Sequence, residues 1–436
     1  MAPAERWRYL LAVADASSDS APRGRVRGRF VAFGLLLLIG SLVTFALSMW
    51  FANREPDGPL MAVAPSGAGV AYTLRRGFEE RGYVHLVRER EDGAQDWSEA
   101  LFGVAEEPGL VADEGGVYLL AREARGYAEV HAFAPDGPFR WRGGRGTYET
   151  PDENPEGLPP FGPRPLRLGE DELFVLLGGE PVEVIALALE DGEERARVEL
   201  PTGDAPRGAA VVAGTLWIAP GDGGLYRLEA GEAERVASTD HGWCATGRAV
   251  YAGDARGFRL WADGGVATHG DGAPIHLLGC GRDGGDDLLA IRTPAGELAL
   301  QRVRDHAPVG GRPLPVAEAS LPAARPFGFD GLLPTAEGLF DGRGVRVAAG
   351  AFDAALALAG GHVSRDGARL WRVGSDEAVS LPGLRGAASD GAKVWAWTEA
   401  ALLALDPETL RPVSDAAAVM PAPVAPPEAA PAEAAE

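Results

Sequence analysis

Lysine occurs once in this 436-residue chain, at Lys393, and asparagine only twice, at Asn53 and Asn154. A phosphate-binding P-loop ends in Gly-Lys-Ser/Thr, but here the lysine precedes Val394, so that chemistry is excluded. No Gly-x-Ser-x-Gly nucleophile elbow, His-Glu-x-x-His zinc helix or EF-hand calcium loop occurs. Positive charge is also scarce: the formal net charge is -22. Residues 1–29 hold Arg6, Arg8, Arg23, Arg25, Arg27 and Arg29 against Glu5, Asp15 and Asp19, a local +3 that leaves the remainder near -25. A body this acidic repels phosphate backbones, which excludes nucleic-acid binding. Using arginine in place of lysine, with almost no asparagine, is the composition a GC-rich bacterial genome imposes.

Glycine and proline are plentiful instead, at 60 and 34 residues. Many short strands joined by tight turns use both. One long apolar run stands apart, the uncharged stretch of residues 30–53. At about 1.5 Å per residue, a helix there crosses a hydrocarbon core of about 30 Å. Arginines crowd its N-terminal side, while Glu55 and Asp57 follow it, and Trp50 and Phe51 suit an interfacial belt. The positive-inside rule then leaves residues 1–29 as a cytoplasmic stub and everything after residue 53 outside. The expectation is a single-pass signal anchor in the inner, cytoplasmic membrane with a periplasmic ectodomain. A cleaved signal peptide is the alternative, but its apolar core is shorter and "SMWFANRE" is a poor cleavage site. Within the stub, Trp7, Leu10 and Leu11 share one face of a short helix that suits the membrane surface.

Beyond the anchor one phrase recurs: apolar strand, glycine turn, second strand, turn, third strand. Copies begin near Val70, Val117, Leu173, Leu216, Val250, Leu288, His362 and Val394, with a degraded one over Gly338–Gly350. Apolar and polar residues alternate within them, as in "LYRLEA" and "FRLWAD", and no long helical period interrupts. A unit of about 40 residues with three or four strands cannot bury its faces alone, but can when packed radially on copies of itself. The predicted fold class is all-β: a β-propeller of about eight (seven to nine) blades over residues 58–415. One transmembrane helix precedes it. A disordered Pro/Ala/Glu tail, residues 416–436, follows it. A sandwich or a string of small β-domains is the competing architecture.

The wording of the unit resembles the pyrroloquinoline-quinone-type propeller repeat, apolar-x-Ala-Leu-Asp-x-x-Thr-Gly-x-x-x-Trp. "VHAFAPDGPFRWRG" matches it with Asp136, Gly137 and Trp141. "VIALALEDGEERARVEL" keeps Ala186, Leu187 and Gly192 but has Arg195 where tryptophan is expected, and "LLALDPETLRPV" keeps Ala404, Leu405, Asp406 and Thr409. The resemblance implies that the Asp-Gly closes a hairpin and that the tryptophan packs between blades. It points to non-catalytic envelope members, because catalytic ones hold their quinone with adjacent cysteines and a calcium site of Asp, Glu and Asn. Here Cys244 and Cys280 lie far apart and both asparagines fall outside the repeats, so no cofactor is expected.

Four features remain as candidates for chemistry or contact. Cys244 and Cys280 are the only cysteines, and the extracytoplasmic topology favours a disulfide between them, with two buried free thiols as the alternative. Asp240, His241, Cys244, His269, Asp271 and His276 form the densest group of potential metal ligands, yet their spacing fits no zinc pattern and no metal site is expected. The basic, glycine-rich "WRGGRG" around Arg142 and Arg145 suits either an exposed loop or an anion contact. Residues 146–165 break the blade rhythm with six prolines, where Tyr148 and Phe161 supply apolar anchors and Asp152, Glu153 and Glu156 a charged rim. Together these predict a non-enzymatic, membrane-anchored scaffold or accessory subunit that binds protein partners in an envelope complex. A ligand-sensing or substrate-binding propeller is the alternative, and an anchored enzyme is a more distant one.

Overall fold

The computed structural model describes residues 38–41, 43 and 58–413, with interruptions at 68, 77–82, 103–108, 123–126, 148–165, 178–180, 201–207, 230, 263, 323–326, 359–360, 367, 375–377, 391 and 399–400. The chain divides into two compact units, Met1–Glu55 and Pro56–Glu436. In the first, the described residues Leu38–Ser41 and Val43 are helical, with Leu38, Ile39 and Val43 exposed. No helix among the described residues is long and apolar enough to cross a membrane. The remaining residues of the expected anchor, the stub and the tail lie outside the described residues.

The second unit is all-β, with 35 strands and one 3₁₀ turn among the described residues. These strands form eight hydrogen-bonded sheets: six of four strands, one of three and one of eight. Every four-stranded sheet is an antiparallel meander with its strands in chain order, as expected of a propeller blade. The eight-stranded sheet is two such meanders side by side, so eight blades by sheet count contain nine meander units. The units are called here unit 1 (residues 60–102), 2 (109–147), 3 (166–200), 4 (208–238), 5 (243–269), 6 (276–313), 7 (327–349), 8 (354–380) and 9 (386–405).

Fusion of units 6 and 7 has a local cause. His276–Asp283 of unit 6 pairs in parallel with Phe327–Asp330 of unit 7, in register Gly279↔Phe327 and Gly281↔Phe329. A Cβ on Gly279 would sit 2.5 Å from the Phe327 carbonyl oxygen, and one on Gly281 2.1 Å from that of Phe329. Only side-chain-free positions admit a backbone this close. The run Gly279-Cys280-Gly281 therefore turns a packing contact between neighbours into a hydrogen-bonded seam.

Each seam between consecutive units has its own apolar core. Tyr72, Leu74 and Leu86 of unit 1 meet Val117, Leu119 and Phe133 of unit 2. Unit 2 then meets unit 3 through Tyr118, Val130 and Trp141 against Leu173, Val175 and Leu187. The pattern continues around to Leu370 and Val379 of unit 8 against Val394 and Leu405 of unit 9. Finally Trp395 and Ala404 of unit 9 pack on Leu60, Val63 and Ala71 of unit 1, which closes the ring. The single lysine lies here: Lys393 Nζ is 3.2 Å from a Glu91 carboxylate oxygen across the closure. Closure explains how short units, none able to bury both faces, share one stable body.

Candidate functional site

The outer hairpin of unit 2, Tyr127–Phe133 with Phe139–Thr147, carries the most distinctive surface. Its turn is closed by the Gly137 amide, which donates to the Ala134 carbonyl at 3.0 Å, with Gly137 at φ +107°. Alternation along the strands then sorts the side chains. Ala128, Val130, Ala132 and Trp141 face unit 3 and are buried. Tyr127, Glu129, His131 and Phe133 take the opposite face, which turns toward unit 1. On that side Phe139 sits edge-on to His131 and Phe133, and Arg142 stands opposite His131.

The "WRGGRG" stretch divides cleanly between two tasks. Its glycines are structural: a Cβ on Gly143 would lie 2.7 Å from the Gly192 carbonyl, and one on Gly146 would lie 2.1 Å from Leu177. They let the strand lie against unit 3. Its arginines point outward. Arg140 donates to the carbonyls of Gly115 and Glu190, clamping the hairpins of units 2 and 3, each at 3.1 Å. The Arg145 guanidinium lies 5.1 Å from the centre of the Tyr127 ring, in cation–π contact. Arg142 is exposed and has no hydrogen-bond or ion-pair partner among the described residues. Tyr127 is 43% and Phe139 53% exposed. The result is a basic, aromatic strip on a chain whose net charge is -22. This strip leads directly into residues 148–165. Tyr148, Asp152, Glu153, Glu156 and Phe161, expected from sequence as the contact loop, lie outside the described residues.

Trp141 locks the seam beneath this strip. Its indole N–H donates to the Leu189 carbonyl of unit 3 at 3.1 Å, and its ring lies on Gly192. Trp97 of unit 1 does the same to unit 2, donating to the Pro135 carbonyl at 3.1 Å and lying on Gly137. One alignment from the repeat needs correcting. Trp97, Trp141 and Ala196 each stand four residues after a turn glycine and are each the first residue past a β-bulge. The tryptophan's position in unit 3 is thus Ala196, not Arg195: the spacing Gly-x-x-x counted from Gly192 reaches Ala196, and the bulge residue it includes is present in all three units. Arg195 instead pairs with Glu172 at 3.3 Å on the exposed side.

The sequence's ligand-rich group falls between units 5 and 6, where the structure disperses most of it. Cys244 on Trp243–Ala245 and Cys280 on His276–Asp283 are joined as a disulfide, with Cα atoms 5.8 Å apart on the first strands of adjacent units. Asp271 accepts from the Ala273 amide and so caps its own turn, while His269 rests against Phe258. Only His241 and His276 meet, Nδ1 to Nε2 at 3.4 Å. The described residues contain no cluster of three or more potential metal donors. Burial holds the His276 pKa below the usual imidazole range, and Arg292 and His241 reinforce the shift, against an opposing pull from Glu318.

The acidic stretch "GRDGGDD", Gly281–Asp287, has its carboxylates paired within the fold. Buried Asp286 accepts from Arg302 at 2.6 Å and from Arg304 at 2.7 Å, and these guanidiniums hold its carboxyl far below the usual carboxylate range. Asp283 takes the other arm of Arg302 at 2.6 Å. Asp287 accepts from the Tyr251 hydroxyl of unit 5 at 2.5 Å, where burial raises the tyrosine pKa. Asp283 and Asp286 are spent on arginines within unit 6, and Asp287 ties unit 6 to unit 5.

The meander order, the closed set of seams and the tryptophan-on-glycine docking decide the architecture. The fold is that of a pyrroloquinoline-quinone-repeat-like β-propeller. No family model and no curated protein matches the chain. Among solved structures it is similar to BamB from Moraxella catarrhalis, at 13% identity over 70% of this chain and 82% of that one, with a TM-score of 0.37. It is also similar to apo AztD from Citrobacter koseri, at 17% identity over 66% and 78%, with a TM-score of 0.37. Sqt1 from Saccharomyces cerevisiae gives 10% identity over 80% and 96%, with a TM-score of 0.42. The propeller fold is defined by the chain's own seams.

Proposed function

We propose that this chain is a protein-binding propeller held at a membrane, a scaffold or accessory subunit whose contact surface centres on the outer hairpin of unit 2. One observation carries the reading: the strip of Tyr127, Phe139, Arg142 and Arg145 combines exposed aromatic area with positive charge on an otherwise acidic chain. Aromatic and arginine side chains dominate protein contacts, because each brings large area at low entropic cost. The partner is therefore a protein surface bearing carboxylates beside an apolar patch. Residues 148–165 would extend the contact, since they leave the same strand.

Anchoring and compartment belong to the same proposal. The uncharged run of residues 30–53, flanked by arginines on its N-terminal side, supports an N-in, C-out topology. A disulfide between Cys244 and Cys280 suits an oxidising compartment on the far side. The test is a full-length, tagged protein carrying Phe139→Ser, Arg142→Glu and Arg145→Glu, purified from its native membrane beside wild type. Loss of a stoichiometric partner with retained folding supports the reading. Unchanged recovery of that partner would move the contact elsewhere.

A further inference from the structure

The first three seams of the ring share one set of positions but not one filling. In each, an aromatic side chain on the second strand faces the position four residues beyond the turn glycine, and that position faces a glycine of the next unit's hairpin. Seam 1–2 holds Tyr72, Trp97 and Gly137, with the two rings 5.9 Å apart. Seam 2–3 holds Tyr118, Trp141 and Gly192, with rings 5.8 Å apart. Seam 3–4 holds Phe174, Ala196 and Gly231, and a Cβ on Gly231 would meet nothing but the Ala196 methyl, at 3.4 Å. Gly137, Gly192 and Gly231 all have positive φ, at +107°, +75° and +81°. The receiving hairpin is kept while the indole is gone.

A pocket of about 350 Å³ occupies the place, lined by Phe174, Ala186, Ala196, Leu228 and Gly231, with the Arg195–Glu172 ion pair at its rim. That volume lies at the small end of ligand sites, about 300 to 1,000 Å³, so it suits one ring system rather than a large ligand. We infer that this pocket receives a tryptophan side chain from a partner protein, completing in trans the indole docking that Trp97 and Trp141 perform in cis. The chain's own seams define what fits: a flat apolar ring over a glycine Cα, stacked beside an aromatic ring, with its N–H directed to a hairpin carbonyl. The acceptor for Trp97, Pro135, stands two residues before Gly137, and that for Trp141, Leu189, three before Gly192; the matching positions before Gly231 are Glu229 and Leu228. The charged rim suits a polypeptide backbone entering from solvent.

The inference does not rest on the unit 2 strip, and the experiment separates the two. N-acetyl-5-fluorotryptophan amide is titrated into detergent-solubilised full-length protein and followed by ¹⁹F NMR. Saturable broadening in the millimolar range is expected, because a lone side chain contributes only its own buried area. N-acetyl-tryptophan amide should compete and N-acetyl-alanine amide should not. Ala196→Trp plugs the pocket from within and should weaken the probe at least about tenfold. Where that variant does not fold, Ala196→Leu should give the same loss in smaller degree. The Phe139→Ser, Arg142→Glu, Arg145→Glu protein should bind the probe as wild type does, whatever its partner recovery. No binding to wild type, or equal binding to the Ala196 variants, overturns the inference. So does binding of free indole without binding of the capped amino acid, which would make the occupant a small aromatic molecule.

Discussion

Replacing Trp141 with alanine tests the physical basis of the ring. The indole is 7% exposed, rests on Gly192, lies tilted beside Tyr118 and donates one hydrogen bond across the seam at 3.1 Å. Truncating a buried tryptophan costs about 3 to 5 kcal/mol through lost transfer energy and the cavity left behind. The low end applies, near 3 kcal/mol, because the vacated space borders solvent and the chain tolerates an alanine at Ala196. Trp141→Phe separates the terms. It keeps most of the ring but removes the shorter of the two donors to the Leu189 carbonyl, leaving Arg140 at 3.4 Å, a loss of about 1 kcal/mol. Gly192→Ala attacks the same contact from the other side, since its Cβ would lie 2.4 Å from the indole at a backbone φ of +75°. Urea unfolding of the purified protein measures all three, read as midpoint shifts at constant slope. A Trp141→Ala cost under about 1 kcal/mol would refute the claim that the tryptophan holds units 2 and 3 together.

Removing the disulfide by Cys244→Ala with Cys280→Ala should cost about 4 kcal/mol in the chain-entropy model for cysteines 36 residues apart. Thiol labelling of wild type, denatured without reductant, should find no free thiol; two per chain would dismiss the bond. The His276 pKa is depressed in the folded state, so between the folded value and the unfolded one of about 6.5 the unfolded chain binds more protons. Stability should therefore fall as pH drops below about 6.5, and His276→Gln should flatten that slope; a slope unchanged in the variant would assign it to other groups. Gly281→Val places a side chain where the Phe329 backbone approaches and should separate units 6 and 7, lowering the unfolding free energy measured in urea by more than about 2 kcal/mol. A neutral Gly281→Val would mean that the parallel pairing does not need the glycine.

The repeat was legible in the sequence because the second strand of most units alternates visibly and ends at a glycine turn. Eight of the nine copies found there open on or within second strands, from Val70–Arg76 to Val394–Trp397. First strands were not legible. Leu166–Leu168 and Trp243–Ala245 are three residues each, too short to show a period. Fusion of units 6 and 7 was hidden for a related reason: Gly279 and Gly281 read as turn residues until Phe327 and Phe329 are seen beside them. Residue types alone gathered six candidate metal ligands between Asp240 and His276, but spacing along the chain carries no information about which turns face each other. The tryptophan position in unit 3, by contrast, was legible: Gly-x-x-x counted from Gly192 ends on Ala196, because the same one-residue bulge recurs in units 1, 2 and 3.

The most direct test of the central reading places a photo-crosslinking amino acid at Phe139 in the full-length protein, in its native membrane. A control chain carries it at Val309, an exposed residue of unit 6. The account predicts one dominant crosslinked protein partner at Phe139, absent at Val309 and lost with Arg142→Glu and Arg145→Glu. No partner at Phe139, or the same products from both positions, would contradict a protein-binding role for this hairpin.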